Sequence, residues 1–598
     1  MTAARLRAFA APPFRVGAPR LWTGLLWLSV IVLTVALLAY PRTMVLEFSP
    51  IQSIETVAPL TLFAVLYYCW MIALVAQLLR QGQDRGSLLQ SLSLVAVFAL
   101  VYRGFWDIPL AAIGHQDSIL NVGTARYLES TGQVAFGHPN FVYFDFPGLH
   151  TVTAVLASVT GLAAQDAATI MLVLMGVILS SLFFLISLVL LRDVRWAGVA
   201  ALLVMQGSLV FSRLPFYPGM LGFVFVLMFL LLILKQREAV FLRPSLAFAN
   251  VVLLLAAAVT HLPTSVLMFF ILIGIWLTTL AREHHGSVPV STLVLYAVAP
   301  AAWLIYATVT TFDGLAQVIG EFTSNLQGED FFSEVRIIGA SNLGPSVPLW
   351  ATGIKAFWLV ALLGVGTVVA LLRLRRAFDL VRAEAQVLGA LLGIVLLSVT
   401  AMLVSFGGSQ FLRYPMYAPI VVAPMLLLFV LDQASSRLRR IGLGVTVVAI
   451  VGLSLPTFLA SHPTVSMDRS YSYEDSPAKF LAGNAGSVEA MIFAPALGYL
   501  PYVEHLPNAR YAASPALSEL QDEDGVWANL DGQISEFESG QDAVNVYVLS
   551  ARPRVYYEYN FRLSPEDPRW DAIQSELDGN LKIYDNGFVG LFENDSRR

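Results

Sequence analysis

The side chains most able to do chemistry gather between residues 114 and 150 of the sequence. This stretch, GHQDSILNVGTARYLESTGQVAFGHPNFVYFDFPGLH, holds two isolated aspartates, Asp117 and Asp145, and three of the chain's eight histidines. Carboxylates and imidazoles can take up and release protons, and both can bind metal ions. In a chain that is otherwise mostly apolar, such groups are costly unless they are used or paired. The stretch is therefore the first candidate for a functional site.

The composition identifies a polytopic membrane protein. Of the 598 residues, 57% are hydrophobic and 13% are charged, whereas soluble proteins carry about 25% charged residues. Many apolar runs reach the roughly 20 residues needed to cross a bilayer. The single cysteine, Cys69, excludes an intrachain disulfide. No Walker A motif is present, which excludes a transporter ATPase with its own nucleotide-binding domain, and no feature indicates a nucleic-acid partner.

The apolar runs predict an α-helical fold with about thirteen transmembrane helices. The predicted spans are 22–40, 57–79, 87–102, 168–191, 196–212, 217–235, 245–260, 263–281, 288–308, 350–373, 384–406, 415–432 and 439–459. The apolar segment 148–163 is short and rich in Thr and Gly, so it is predicted to lie on the membrane surface.

Arginines fix the predicted orientation, because cytoplasmic loops carry an excess of Lys and Arg. If 148–163 stays on the surface, every loop on one side contains arginine, and that side is the cytoplasm. These loops are RQGQDRG, RDVR, KQREAVFLR, AREHH, RLRRAFDLVR and DQASSRLRR. The basic N-terminus is then cytoplasmic as well. We expect a multi-pass protein of a prokaryotic plasma membrane, with the loop 103–167 on the outer face.

The C-terminal residues 461–598 are predicted to form a second domain, separate from the transmembrane domain 1–460. They contain 22 acidic and 10 basic residues, against 19 and 26 in the rest of the chain, which agrees with an extracytoplasmic location. EAMIFAP, AVNVYVLS and LKIYDNGFVGLFEN read as strands, the last as a hairpin, and DPRWDAIQSEL reads as a helix. The fold class is therefore an α-helical membrane bundle followed by a small extracytoplasmic α/β domain.

Local patterns predict how the outer loop positions its polar groups. A helix is expected from Asp117 to Gly132, in which Asp117, Asn121 and Thr124 share one face. An aromatic, proline-broken turn, HPNFVYFDFPGLH, follows and leads into the surface helix at 148–163. The loop thus reads as two surface helices joined by a stiff turn.

This order of elements resembles the first external loop of the GT-C glycosyltransferases, which use polyprenyl-phosphate sugars. The resemblance is to the aminoarabinose and protein-mannosyl transferase branch, and it rests on the early acid, the ARYLESTG helix and the FDFPGLH turn. It covers this loop, THLPTS, QFLRYPMYAP and the general layout. Asp117 falls on the family's essential loop aspartate, and Gly148 stands where the family often has a second proline. The oligosaccharyltransferase motif WWDYG is absent.

The resemblance implies inverting transfer of a sugar from a polyprenyl-phosphate donor to a glycan, lipid or protein acceptor on the outer face. Such a reaction needs a base for the acceptor hydroxyl, and Asp117 is the candidate. It also needs cationic or hydrogen-bonding groups at the departing phosphate. Arg413, at the outer mouth of a late span, is the first candidate for this role, followed by His261 and Arg213.

Further residues are candidates for substrate contact or support. They are His115, Asn121, Asp145, His138, His150 and Tyr414. The sequence establishes no cofactor. A divalent cation held by Asp117, His115 and either Asp145 or His138 stays open, although their spacing is no metal signature.

Each candidate also has a structural interpretation. Asp117 also suits a helix N-cap or a surface ion pair. Asp145 also suits an ordinary acidic residue of a turn. The loop histidines also suit simple polar residues at the membrane interface. His261 precedes Leu-Pro and suits the capping of a helix break, and Arg413 suits a residue that extends to lipid headgroups. Two other functions stay open for the chain: a lipid or polysaccharide transporter or flippase, with polar groups at mid-membrane, and a non-catalytic scaffold whose external domain binds a partner.

Overall fold

The computed structural model describes most of the helical part of the chain and short pieces of the C-terminal part. The described ranges are scattered residues within 24–32, then 57–107, 116–134, 145–207, 211, 216–236, 243–283, 288–307, 349–374, 382–404, 417–433, 435–461, 478–481, 483–484, 490–493, 510–511, 544–550, 581–585 and 589–594.

Helices occur where the apolar runs predict them, and two further helices form in the outer loop. In chain order they are α1 Val57–Leu79, α2 Arg85–Asp107, α3 Gln116–Thr131, α4 Gly148–Thr160, α5 Ala164–Leu191, α6 Val194–Gly207, α7 Pro218–Gln236, α8 Pro244–Thr260, α9 Leu262–Glu283, α10 Val290–Ala307, α11 Leu349–Leu374, α12 Arg382–Val404, α13 Pro419–Leu431 and α14 Ser436–Ser461. Only scattered helical residues of the predicted 22–40 span belong to the described part.

Length and hydropathy divide these helices into two groups. Within the described residues, five segments are long and apolar enough to cross a membrane, in α2, α5, α7, α9 and α14, and eight shorter apolar segments accompany them. The exact number of spans therefore stays a prediction. At 1.5 Å per residue, the 13-residue α4 is about 20 Å long, well short of the roughly 30 Å hydrocarbon core. Its length agrees with the predicted surface position.

Helix α6 occupies the centre of the bundle. Every residue from Ala197 to Gly207 is buried, and α6 packs against α1, α2, α5, α11, α13 and α14. The sequence predicted a span over 196–212, and the structure describes α6 from Val194 to Gly207, with residues 208–210 outside the described part. The end of this span therefore stays a prediction.

Helices α9 and α12 approach each other through glycines. A Cβ added at Gly274 in α9 would collide with the carbonyl oxygen of Gly389, and one added at Gly393 would meet the backbone of Phe270. The Thr278 hydroxyl donates to the Ala385 carbonyl across the same contact, at 3.2 Å. Small residues allow this close packing in membranes, where helices associate by van der Waals contact and interhelical hydrogen bonds. The pair is therefore held by backbone-to-backbone contact.

The C-terminal part contributes a five-stranded sheet. Its strands are β1 Ala490–Phe493, β2 Arg510–Tyr511, β3 Val544–Ser550, β4 Leu581–Asp585 and β5 Val589–Asn594, in the order β2-β1-β3-β5-β4. β1 pairs with β2 and β3 in parallel, and β5 pairs with β3 and β4 in antiparallel orientation. β1, β3 and the β4–β5 hairpin lie where the sequence predicts strands, while β2 was not predicted. The predicted helix over 567–577 lies outside the described residues, so a separate extracytoplasmic α/β domain remains a prediction.

The glycine contact gives a stability prediction. Replacing Gly389 by Ala would place the new Cβ 2.6 Å from the Ile275 Cα, an atom that no side-chain rotation can move. We expect a loss of about 1–3 kcal/mol, typical of overpacking, and a lower melting temperature in detergent. Gly364 is the matched control, because nothing lies within 4 Å of a Cβ there. Equal melting temperatures for Gly389→Ala and Gly364→Ala would contradict the close contact.

Candidate functional site

The loop 103–167 folds as predicted into two helices that pack on each other, α3 and α4. Asp117 is the second residue of α3, so its backbone lies in the first turn, where the helix dipole favours a negative charge. Its side chain lies outside the described part. His115 and His138 also lie outside the described residues. The structure therefore places the Asp117 backbone and leaves its chemical role a prediction.

A buried hydrogen bond joins the two helices. The Nε2 of His150 in α4 lies 2.6 Å from the Oδ1 of Asn121 in α3, and both residues are fully buried. Burial lowers the pKa of His150 to about 3, against the opposing effect of a hydrogen bond to the Phe146 backbone. The imidazole is therefore neutral at ordinary pH. In the tautomer with its proton on Nε2, that N–H donates to the Asn121 Oδ1. Asn121 lies one turn after Asp117, so this pair fixes the α3 turn that follows the aspartate.

A second contact ties α3 to the segment that begins α7. The Phe216 backbone N–H donates to the Ser118 hydroxyl at 2.8 Å, and both residues are buried. Ser118 directly follows Asp117. Phe216 lies three positions after Arg213, which itself lies outside the described residues. Sequence reasoning missed Ser118, because nothing in a lone serine indicates a partner 98 residues away.

The start of α4 packs closely against the end of α8. A Cβ added at Gly148 would lie 3.0 Å from the Thr260 Cα and would collide with the Thr260 hydroxyl. The close approach of the two helices thus explains why glycine occupies this position. Thr260 is the last residue of α8, and His261 follows it.

His261 forms the break between α8 and α9. It has an extended backbone, its N–H donates to the Ala257 carbonyl at 2.8 Å, and its carbonyl accepts from the Thr264 hydroxyl at 2.7 Å. Its partly exposed ring stands edge-on to Tyr217, with centroids 5.8 Å apart. The structural role predicted for His261 is present, and a role at a phosphate is untested. Tyr217, missed by sequence reasoning, follows Phe216 directly.

These contacts form a continuous connection between two predicted site residues. Ser118, beside Asp117, contacts Phe216, and Tyr217, beside Phe216, contacts His261. The structure therefore assembles the α3 start and the α8–α9 break at one end of the bundle. The turn residue Asp145 is buried close by, and its backbone carbonyl accepts from the Trp303 indole at 3.1 Å, which attaches α10 to the same region.

The late candidates are placed only through their neighbours. Arg413 and Tyr414 lie outside the described residues. Tyr417, three positions after Tyr414, is buried and stands edge-on to Phe223 of α7, with centroids 4.8 Å apart. Tyr417, just before α13, thus lies beside the helix that follows Phe216.

Arg103 is a buried cation that sequence reasoning missed. Its side chain, 4% exposed, lies near the end of α2. Its Nη1 donates to the Phe211 carbonyl at 2.6 Å, and the guanidinium lies 5.7 Å from the Phe211 ring centroid. The available signal was an arginine at the end of an apolar run. No group of three or more metal-ligating side chains occurs in the part of the chain that the structure describes, a search that covers none of the Asp117, His115 or His138 side chains.

This helical bundle is similar in fold to solved oligosaccharyltransferases. Over 78% of its length the chain matches the oligosaccharyltransferase of Archaeoglobus fulgidus in the apo form, with a TM-score of 0.51, 12% identity and 70% of that chain covered. The archaeal oligosaccharyltransferase AglB of the same organism, in complex with an inhibitory peptide and a dolichol-phosphate, gives 0.50, 11% identity and coverages of 79% and 71%. The resemblance to GT-C proteins is confirmed at the level of the fold.

One further solved structure is similar along most of its length. ArnT from Cupriavidus metallidurans bound to undecaprenyl phosphate covers 86% of this chain and 99% of its own at 13% identity, with a TM-score of 0.42 that is too low to support an argument. No protein-family model matches the sequence, and no curated protein matches it significantly.

The buried His150 predicts a pH dependence of stability. The unfolded chain takes up this proton near pH 6.5, whereas the folded protein takes it up only near 3. Between these values the unfolded state binds more protons, so stability falls as pH falls, by up to about 1.4 kcal/mol per pH unit. The check is the melting temperature of the protein and of His150→Gln from pH 4 to 8. The variant should show the shallower pH dependence, and identical slopes would contradict a neutral buried imidazole.

Proposed function

We propose that this protein is a glycosyltransferase of the GT-C type that transfers a sugar from a polyprenyl-phosphate donor to an acceptor on the extracytoplasmic face of a prokaryotic plasma membrane. The observation that carries the proposal is the assembly of the Asp117 turn and the His261 break through Ser118, Phe216 and Tyr217. This assembly occurs in a chain with the GT-C fold.

The proposed reaction needs few groups. The acceptor hydroxyl oxygen attacks the anomeric carbon, and Asp117 takes its proton as general base. The bond between the anomeric carbon and the phosphate oxygen breaks with inversion, and the electron pair leaves with the polyprenyl phosphate. Arg413, Arg213 and His261 would stabilise the charge on that phosphate. Asp145, His115, His138 and Tyr414 remain candidates for substrate contact.

The His150–Asn121 pair suits a positioning role in this scheme. A base must be held in hydrogen-bond reach of its substrate, and this buried pair fixes α3 one turn after Asp117. The neutral imidazole has no proton to exchange at ordinary pH, so we assign it no direct part in the reaction.

The donor class is supported by what the structural neighbour binds, since AglB was solved with a dolichol-phosphate. An acceptor peptide containing a sequon was tethered to an oligosaccharyltransferase of the same organism. The present sequence lacks the WWDYG motif, so we do not extend oligosaccharide transfer to an asparagine to this chain. The acceptor class stays a glycan, a lipid or a protein.

A lipid transporter remains the second candidate. Polar groups at mid-membrane would favour it, and Gln206 supplies one, because it is fully buried in the central helix α6. An assay that reports both sugar transfer and lipid movement in liposomes separates the two functions.

The decisive variant is Asp117→Asn, which keeps size and removes the base. We expect transfer from a panel of polyprenyl-phosphate-linked sugars to fall by about 10²–10⁴-fold in kcat, with the melting temperature unchanged. Asp166→Asn is the matched control, because Asp166 is an exposed acid in the first turn of α5, and it should keep full activity. Full activity of the Asp117 variant would show that Asp117 is not the general base.

A further inference from the structure

Helix α3 buries polar groups on the side that faces the bundle. Ser118, Asn121 and Thr124 follow one another at intervals of three residues, and all three are fully buried. Residues three or four positions apart share one face of a helix. The inner face of α3 therefore presents two hydroxyls and an amide to the elements that surround it.

These polar groups restrict the rotation of α3 about its own axis. An apolar contact tolerates a small rotation, because any apolar neighbour can replace another, whereas a buried polar group is costly without its partner. Asn121 meets the Nε2 of His150 at 2.6 Å, and Ser118 accepts from the Phe216 N–H at 2.8 Å. The two partners belong to α4 and to the residue that precedes α7 by two positions. Together the two bonds fix how the first turns of α3 face the bundle.

The hydrogen bond of Ser118 is the contact closest to the candidate base. Asp117 is the second residue of α3, and helix ends fray because their first N–H groups lack intrahelical partners. The His150–Asn121 pair lies one turn further along, so it does not hold the first turn. Ser118 holds that turn one residue from Asp117. The backbone that carries the base thus depends on one buried hydroxyl.

We infer that Ser118 is a positioning residue of the proposed reaction. Its hydrogen bond to the Phe216 N–H holds the first turn of α3 in the place where Asp117 can take the proton of the acceptor hydroxyl. The same bond joins the base to the chain that continues through Tyr217 to His261, a candidate phosphate ligand. The inference rests on the proposed function, and it assigns control of the base geometry to a residue outside the reacting groups.

The kinetics of Ser118→Ala test the inference. The variant removes the hydrogen-bond acceptor and keeps a good helix former in α3. We expect kcat for transfer from a polyprenyl-phosphate-linked sugar to fall about 10- to 100-fold, because a misplacement of about 1 Å at a reacting group can cost about 100-fold. The KM for this donor should change less than about threefold, since none of the phosphate candidates lies on α3.

A conservative variant gives a second measurement. Ser118→Cys keeps a side chain of similar shape with a weaker acceptor, so its kcat should lie between those of the wild type and Ser118→Ala. It also tests the inference if the alanine variant does not fold. A kcat equal to that of the wild type in Ser118→Cys would contradict the positioning role.

Two other serines are matched controls. Ser29 is also buried, and its hydroxyl also accepts from a distant donor, the Trp70 indole at 2.7 Å. Ser29→Ala therefore removes the same kind of bond outside α3, and it should lower the melting temperature as Ser118→Ala does while kcat is kept. Ser130 is exposed near the end of α3, and Ser130→Ala should keep both the melting temperature and kcat.

A double variant shows whether Ser118 acts through Asp117. Residues that act as a unit give non-additive losses, so adding Ser118→Ala to Asp117→Asn should lower kcat no further. A further loss in the double variant, an equal kcat loss in Ser29→Ala, or full kcat in Ser118→Ala would each overturn the positioning role.

Failure of the inference is distinguishable from failure of the proposed function. Full kcat in Ser118→Ala beside an inactive Asp117→Asn removes only the role of Ser118. A wild-type protein that transfers no sugar from any lipid-linked donor removes the proposed function, and the positioning role with it.

Discussion

The thickness of the hydrocarbon core is the constraint on which this structure depends. Within that layer a backbone polar group must find its partner inside the protein, so lipid-exposed chain crosses as a helix. The 13-residue α4 is too short to cross, and it is therefore held by other helices, α3, α5, α7 and α8. α4 also lies beside the candidate site, since a helix that does not span the membrane can present its ends to polar contacts.

The bundle treats its buried polar groups in two different ways. His150 is held as a neutral imidazole and bonded to Asn121, so it contributes geometry without charge. Arg103 contributes a guanidinium near the end of α2, which the carbonyl and ring of Phe211 accommodate. A titratable group suits a rigid joint only when it does not titrate in the working range.

Hydropathy was sufficient to predict the helices, because an apolar run long enough to span a membrane has few stable conformations there other than a helix. The alternation of apolar and polar residues was sufficient to predict β1, β3 and the β4–β5 hairpin. The two-residue β2 is too short to show such a pattern. Asn121 was placed correctly on the Asp117 face of α3, but its partner His150 was not, because the partner is set by how α3 and α4 cross. Ser118 with Phe216, and Gly148 with Thr260, depend in the same way on tertiary packing.

The glycine contact between α9 and α12 has a mechanical consequence. α9 begins at Leu262, immediately after His261, and it touches α12 through backbone atoms at Gly274, Gly389 and Gly393. Side chains can absorb a small rotation by changing rotamer, but backbone atoms in contact have no such slack. Any rearrangement of α12 must therefore carry α9 with it and turn the His261 imidazole at its end. α9 and α12 would therefore move as one rigid unit, and this movement would displace His261, a candidate phosphate ligand.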